Sequence, residues 1–170
     1  MTAEVTLVLG GARSGKSRHA EALVTAGPSP WIYIATAEAL DDEMRARIRL
    51  HRDGRVPGWT TVEEPLDLPG AIARHAGPGR AVLVDCLTLW LSNLMGAGRD
   101  PAAAAAALTA ALDEAEGRVV LVANEVGLGI VPDNALARAF RDAAGRLNQA
   151  VAARADRVLF VVAGLPMTVK

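Results

Sequence analysis

The sequence predicts an α/β protein of three layers, a mostly parallel central sheet between two layers of helices. Three observations carry that expectation. Apolar runs of strand length, Val5 to Leu9, Trp31 to Ala35, Ala81 to Val84, Val119 to Ala123 and Val158 to Val162, alternate with stretches of helical pattern, the order that produces right-handed β-α-β crossovers. The runs are mostly continuous rather than alternating, as strands covered on both faces should be. The first run also leads straight into Gly10-Gly11-Ala12-Arg13-Ser14-Gly15-Lys16-Ser17, which fits the pattern G-x-x-x-x-G-K-[ST] of a phosphate-binding P-loop. The expected architecture is therefore a three-layer α/β/α P-loop nucleotide-binding fold, built as a single domain over residues 1–170.

A loop of this kind wraps phosphates with backbone N–H groups, while the helix that follows aims its positive end at them. Its glycines let the backbone come close to the oxygens. Lys16 would reach the β and γ phosphates, and the Ser17 hydroxyl would sit on Mg²⁺. Composition singles out the same lysine: the chain has two lysines, Lys16 and Lys170, against sixteen arginines. A compact ammonium follows a moving phosphoryl group as a point charge, whereas a planar guanidinium is shaped for bidentate contact.

Bulk properties narrow the function classes. A net charge of -1 gives no global pull toward nucleic acid or anionic membrane, and aromatics at 4% leave few platforms for stacking bases. No apolar run approaches the roughly 18 residues of a membrane span. Val5 to Leu9 is too short for a signal peptide. The single cysteine, Cys86, excludes an internal disulfide and suits a reducing compartment, so a cytoplasmic protein is expected.

Along the chain, the helix after the loop carries His19, and His75 lies near a later helix end before Gly77. Neither has the partner spacing of a metal site. Between Asp41 and Arg55 acids come first and arginines later, which suits the helix dipole and predicts a helix ending near Gly54. Met44, Ile48 and His51 fall on one stripe of it. On residue physics alone His51 reads as a packed, hydrogen-bonded histidine. The competing reading is a neutral imidazole that attacks phosphorus, with Arg52 and Arg55 as phosphate clamps. Trp59 to Val62 reads as an edge strand.

Ala81 to Val84 ends in Asp85, where P-loop proteins place the carboxylate that holds Mg²⁺. Asn124-Glu125 closes the next run in the same way, at the strand end where open α/β sheets bind ligands. Glu125 is thus a candidate for metal or substrate, with a solvated loop acid as its alternative. Asp100-Pro101 caps an alanine-rich helix that stops by Gly117. In the helix from about Asn134, Leu136, Phe140, Leu147 and Val151 mark a core face.

Taken together, these segments resemble one family, the bifunctional adenosylcobinamide kinase/adenosylcobinamide-phosphate guanylyltransferases of cobalamin biosynthesis. The resemblance is carried by Gly10 to Glu21, Tyr33 to Thr36, Asp41 to Met44 with Arg47-Ile48, His51-Arg52-Asp53-Gly54-Arg55, Trp59 with Thr61 to Glu63, Asn124 to Gly127, Gly129 to Pro132, and Gly145 to Gln149. It implies phosphorylation of adenosylcobinamide by ATP or GTP, then GMP transfer from GTP through a covalent histidine to give adenosylcobinamide-GDP. It makes His51 that histidine, reversing the packing role. The nucleotide site it implies comprises Gly10, Gly11, Ala12, Arg13, Ser14, Gly15, Lys16, Ser17, Ala35, Thr36, Ala37, Arg52, Asp53, Gly54, Arg55, Glu63 and Asp85, with Ser17 and Asp85 on Mg²⁺.

The chain departs from the family pattern at Ala37, where a serine is expected, and at Asp85, where some relatives carry glutamate. Glu63, Asp85 and Glu125 all stay open as general base of the kinase step. The implied partner is the corrinoid, in a homotrimer, with no nucleic acid. Two other readings stand beside this one: a P-loop kinase without guanylyl transfer, which would form no covalent adduct, and a nucleotide-binding regulatory module. The absence of an Asn-Lys-x-Asp guanine motif weighs against the module.

Overall fold

A computed structural model describes residues 2–38 and 42–170, with the side chains of Glu43, Met44, Arg47, His51 and Arg52 outside that description. The strands are β1 (Glu4–Gly10), β2 (Trp31–Ala35), β3 (Trp59–Glu63), β4 (Ala81–Asp85), β5 (Arg118–Asn124), β6 (Arg157–Val162) and β7 (Leu165–Thr168). The helices are α1 (Lys16–Thr25), α2 (Asp42–Asp53), α3 (Leu68–His75), α4 (Leu87–Gly96), α5 (Pro101–Glu114) and α6 (Ala135–Arg154). One seven-stranded sheet runs β3-β2-β4-β5-β1-β6-β7. Strands β1 to β6 are parallel and β7 pairs antiparallel with β6. The stretch from Trp59 is indeed an edge strand.

Side chains alternate across the pleat, so each continuous apolar run feeds two cores. Val5 and Leu7 face the layer that contains Trp90, Leu112, Leu147 and Val151. Val8, Leu83 and Val122 face the opposite layer, where Ala20 and Val24 of α1 cover them. Both faces of the central strands are therefore dry, which is why these strands lack the polar alternation of a half-exposed sheet.

The helix ends follow local chemistry. Asp100 accepts from the Ala102 and Ala103 amides, with Pro101 opening α5. Asn134 accepts from the Ala137 amide at the start of α6. One core assignment in α6 needs correcting. Leu147 and Val151 are buried and Phe140 packs against the core, but Leu136 is 73% exposed. A helix of 20 residues is about 30 Å long, whereas strands of 5–7 residues span roughly 17–24 Å; the first turn of α6 overhangs the sheet.

The β6–β7 hairpin turns on Ala163 (φ 52) and Gly164 (φ 78), which join Val162 directly to its partner Leu165. Positive φ at both loop residues matches the right-handed twist of the strands. This hairpin matters for the site, because the Gly164 amide donates to the Ser14 carbonyl at 2.7 Å.

Candidate active site

Strand β1 ends at Gly10 and α1 begins at Lys16, so the glycine-rich loop occupies the C-terminal edge of the sheet. Two of its glycines are dictated by space. A Cβ at Gly10 would lie 2.9 Å from the Val161 carbonyl oxygen and would collide with the Ser14 hydroxyl. At Gly15, φ is 91° and a Cβ would meet the Cα of Gly164 at 3.2 Å. The hairpin is thus a wall against which the loop is moulded.

Lys16 is buried, and its ammonium donates to the Gly11 carbonyl at 3.0 Å. Burial pushes the ammonium below its ordinary 10.5, opposed in part by the negative charge of the Asp85 carboxylate nearby. A desolvated cation facing an open cleft gains from any anion that enters.

Asp85 ends β4 beside this loop. The register pairs Tyr33 with Leu83 and Ala35 with Asp85, so Tyr33 and Asp85 lie on the same face as diagonal neighbours. The Tyr33 hydroxyl donates to Asp85 Oδ2 at 2.6 Å. Burial first, and the adjacent carboxylate second, push the phenol well above its ordinary 10.0, so it keeps its proton and stays a donor.

On the Tyr33 ring sits the Arg55 guanidinium, 3.2 Å from the centroid, a cation–π contact. Arg55 also donates to Thr61 Oγ1 at 3.3 Å and lies 3.8 Å from Glu21 of α1. One side chain therefore ties α1, β2 and β3 together at the mouth of the cleft.

Thr36 is fully buried. Its hydroxyl donates to the Cys86 carbonyl at 2.7 Å and accepts from the Cys86 amide at 2.9 Å, clasping the ends of β2 and β4. Asn93 of α4 donates to the Thr36 and Pro65 carbonyls. Burial raises the Cys86 thiol to about 11, which leaves it protonated and inert.

A cleft of about 320 Å³ is lined by Lys16, Ser17, Tyr33, Asp85, Arg55 and Asn124, among others. A second, of about 210 Å³, is lined by Arg45, Ile48, Arg49, Arg55, Thr61 and Glu63. Ala35, Ala37, Ile48 and Arg55 border both, so the two are adjacent compartments. Between them they gather the expected Lys16, Ser17, Ala35, Ala37, Arg55, Glu63 and Asp85. Gly11 reaches the site through its bond to Lys16, whereas Ala12 and Arg13 are exposed at the loop tip.

Other expected residues stand differently. The Thr36 side chain holds the scaffold while its neighbours line the cleft. Asp53 and Gly54 are exposed at the end of α2. The Glu125 carboxylate accepts from the Gly127 amide and lines neither cleft. His51 lies in the last turn of α2, three residues beyond Ile48; its side chain and that of Arg52 lie outside the described residues.

Two contributors escaped the sequence reading. Tyr33 reads as a strand residue and as part of the Tyr33 to Thr36 resemblance, with no role assigned, although a buried phenol requires a polar partner. The Ala163-Gly164 hairpin lacks the Asn-Gly turn signal.

Ser17 and Asp85 offer an oxygen donor set that suits Mg²⁺, which takes one or two carboxylates and completes its shell with water and phosphate oxygens. Among the described residues no three His, Cys, Asp or Glu side chains form a metal cage. No helix among them is long and apolar enough to cross a membrane.

Residues 6–169 match the family model described as cobinamide kinase / cobinamide phosphate guanyltransferase. The bifunctional adenosylcobalamin biosynthesis protein CobP of Pseudomonas aeruginosa is 52% identical over 167 residues, covering 96% of both chains. The bifunctional adenosylcobalamin biosynthesis protein CobU of Salmonella typhimurium is 49% identical over 179 residues, covering 96% of this chain and 98% of its own. A solved structure from Pyrococcus horikoshii OT3 superposes with a TM-score of 0.58 at 11% identity, covering 100% of this chain and 88% of that one; that is a likeness of fold alone.

Proposed function

Because the chain belongs to the cobinamide kinase / cobinamide phosphate guanyltransferase family, we infer that its paired clefts serve two successive transfers to one corrinoid. The protein is a bifunctional cobinamide kinase and cobinamide-phosphate guanylyltransferase of adenosylcobalamin biosynthesis. The observation that supports the division of labour is that Arg55 and Ile48 border both compartments, with His51 one turn beyond Ile48 on the same helix.

In the first transfer, a hydroxyl of adenosylcobinamide attacks the γ phosphorus of ATP or GTP, and the bond to the β-phosphate oxygen breaks. The loop amides and Lys16 hold the phosphates, and the desolvated ammonium offsets charge on the transferring group. Ser17 and Asp85 would hold Mg²⁺, which when bound neutralises phosphate charge. The Tyr33 hydroxyl keeps the Asp85 carboxylate aimed into the cleft. Asp85 and Glu63 line compartments of the site and remain the better-placed acids to take the acceptor's proton; Glu125 is engaged by its own loop.

In the second transfer, a His51 ring nitrogen attacks the α phosphorus of GTP and pyrophosphate leaves, giving a phosphoramidate to GMP. An oxygen of the corrinoid phosphate then attacks that phosphorus, the P–N bond breaks, and the histidine is regenerated as adenosylcobinamide-GDP departs. Splitting one displacement in two uses imidazole first as nucleophile and then, protonated on its other nitrogen, as leaving group. Arg52, Asp53, Gly54 and Arg55 would frame the phosphates beside it. A homotrimer in the cytoplasm is the proposed working form.

The test is incubation with GTP labelled at the α phosphate. An adduct that is acid-labile and base-stable is expected, and it disappears in His51→Ala. An adduct that persists in that variant, or none in the parent, defeats the guanylyl half.

A further inference from the structure

Strand β5 does not run directly into α6. Between them the chain crosses the rim of the site with an unusual surface. Val126 is 38% exposed, Leu128 80%, Ile130 97% and Val131 65%, and Leu136 at the start of α6 is 73% exposed. Apolar side chains massed in so short a segment mark an interaction surface rather than ordinary scatter.

The loop is pinned in this presentation. At its start the Glu125 amide donates to the Gly10 carbonyl at 3.0 Å, and the Glu125 carboxylate accepts from the Gly127 amide. At its end Arg138 donates to the Pro132 carbonyl at 2.9 Å, and Asn134 caps α6. The apolar side chains between these anchors are held toward solvent instead of folding onto the core.

The loop also begins at the reaction cleft. Asn124, which lines the cleft, immediately precedes the loop. Its amide donates to Thr88 Oγ1 at 2.8 Å, which brings the start of α4 alongside. Leu89, next in sequence, lines the same cleft and is 37% exposed. Exposed apolar residues thus flank Asn124 on two segments, Leu89 in the cleft lining and Val126 to Val131 in the loop that leaves the cleft.

Resting on the kinase and guanylyltransferase reading above, we propose that the 126–131 loop, with Leu89 and Leu136, is the seat of the corrin macrocycle. The acceptor group sits on an arm of a broad ring whose faces carry methyl groups and whose rim carries amides. A cleft of about 320 Å³ lies at the small end of the roughly 300–1,000 Å³ that enclose drug-sized ligands, and it must also admit nucleotide phosphates. On this reading the arm enters toward Lys16 and Asp85 and the macrocycle stays outside. Along that rim the 126–131 loop offers apolar contact for the ring faces, and Asn124 and Asp133 offer partners for the amides.

The double variant Leu128→Gln/Ile130→Gln tests this, since both side chains are exposed and carry no core packing. In the full-length protein, the KM for adenosylcobinamide in the kinase reaction should rise roughly tenfold or more, the scale on which burying two aliphatic side chains registers in affinity. Affinity for GTP and the mass by sedimentation should not change. Leu128→Met/Ile130→Met should keep the parent KM. An unchanged corrinoid KM in the Gln variant overturns the proposal, as does a fall in mass, which would make the loop a contact between copies of this chain. A parent protein that fails to phosphorylate adenosylcobinamide at all would remove the functional reading itself and this proposal with it.

Discussion

Tyr33→Phe removes one oxygen from the centre of the site. The ring remains, so the Arg55 guanidinium keeps its seat 3.2 Å from the centroid. The hydroxyl donated to Asp85 Oδ2 at 2.6 Å is lost, a distance within the range of charge-assisted O–H···O⁻ bonds. Hydrogen bonds to charged groups contribute about 1.5–3 kcal/mol, equivalent to roughly 10–100-fold in an equilibrium or rate.

If Asp85 holds Mg²⁺ with Ser17, that loss should fall on the metal dependence of phosphoryl transfer. The assay is a Mg²⁺ titration of the kinase rate at saturating nucleotide, with a thermal melt as control for folding. Half-saturation should move up by about tenfold or more, with much of the rate recovered at high Mg²⁺. Tyr33→Leu, which also removes the platform under Arg55, should in addition weaken GTP binding. A folded Tyr33→Phe protein with an unshifted Mg²⁺ titration would refute the positioning role.

Three further outcomes follow from the same geometry. Lys16→Met should lower the kinase kcat at least about 100-fold without lowering Tm, because the ammonium is disfavoured by its burial; a variant that melts well below the parent would show the lysine to be a structural support. Gly15→Ala places a Cβ at φ 91° and 3.2 Å from the Gly164 Cα, so it should destabilise by about 1–2 kcal/mol in urea unfolding and weaken nucleotide binding together with it; a neutral effect would contradict the moulding of loop on hairpin. Cys86, raised from 9.0 to about 11, should hold about a hundredth of the usual thiolate at pH 8, and alkylation by iodoacetamide should be slower still than that ratio because the thiol is buried. Its raised value contributes stability that is present below pH 9 and lost as pH rises through about 11. Rapid labelling of the folded protein would contradict this.

Much of the fold was legible because the central strands are buried on both faces, and continuous apolar runs leave few alternatives. Asp100-Pro101 and Asn134 marked helix starts for the same chemical reasons that they cap them. Other elements were hidden by the absence of such marks. Helix α4 follows β4 after the single residue Cys86, whose thiol takes the capping position, and Leu87-Thr88-Leu89-Trp90-Leu91 reads as a plain apolar run. Strand β7 is short, exposed and interrupted by Pro166, which only an edge tolerates. Leu136 was in phase with the core stripe, but periodicity cannot say where a helix outruns its sheet.

The site divides along similar lines. Lys16 and Ser17 were fixed by a contiguous motif, and Asp85 by its place at a strand end. The role of Thr36 was not, because a buried hydroxyl clasping the Cys86 backbone depends on strands distant in sequence. The Tyr33–Asp85 bond depends on the β2–β4 register, which no local pattern encodes. His51 stood between packing and chemistry in the residues themselves; the family resemblance alone points to chemistry, and its side chain lies outside the described residues.

The most direct test of the whole account is the product mixture formed by His51→Ala from adenosylcobinamide, ATP and GTP, resolved by mass spectrometry. The account predicts that the variant still converts adenosylcobinamide to its phosphate and stops there, with no adenosylcobinamide-GDP. Formation of the GDP product at the parent rate would contradict it, as would loss of the phosphate product from a variant that is folded and binds GTP.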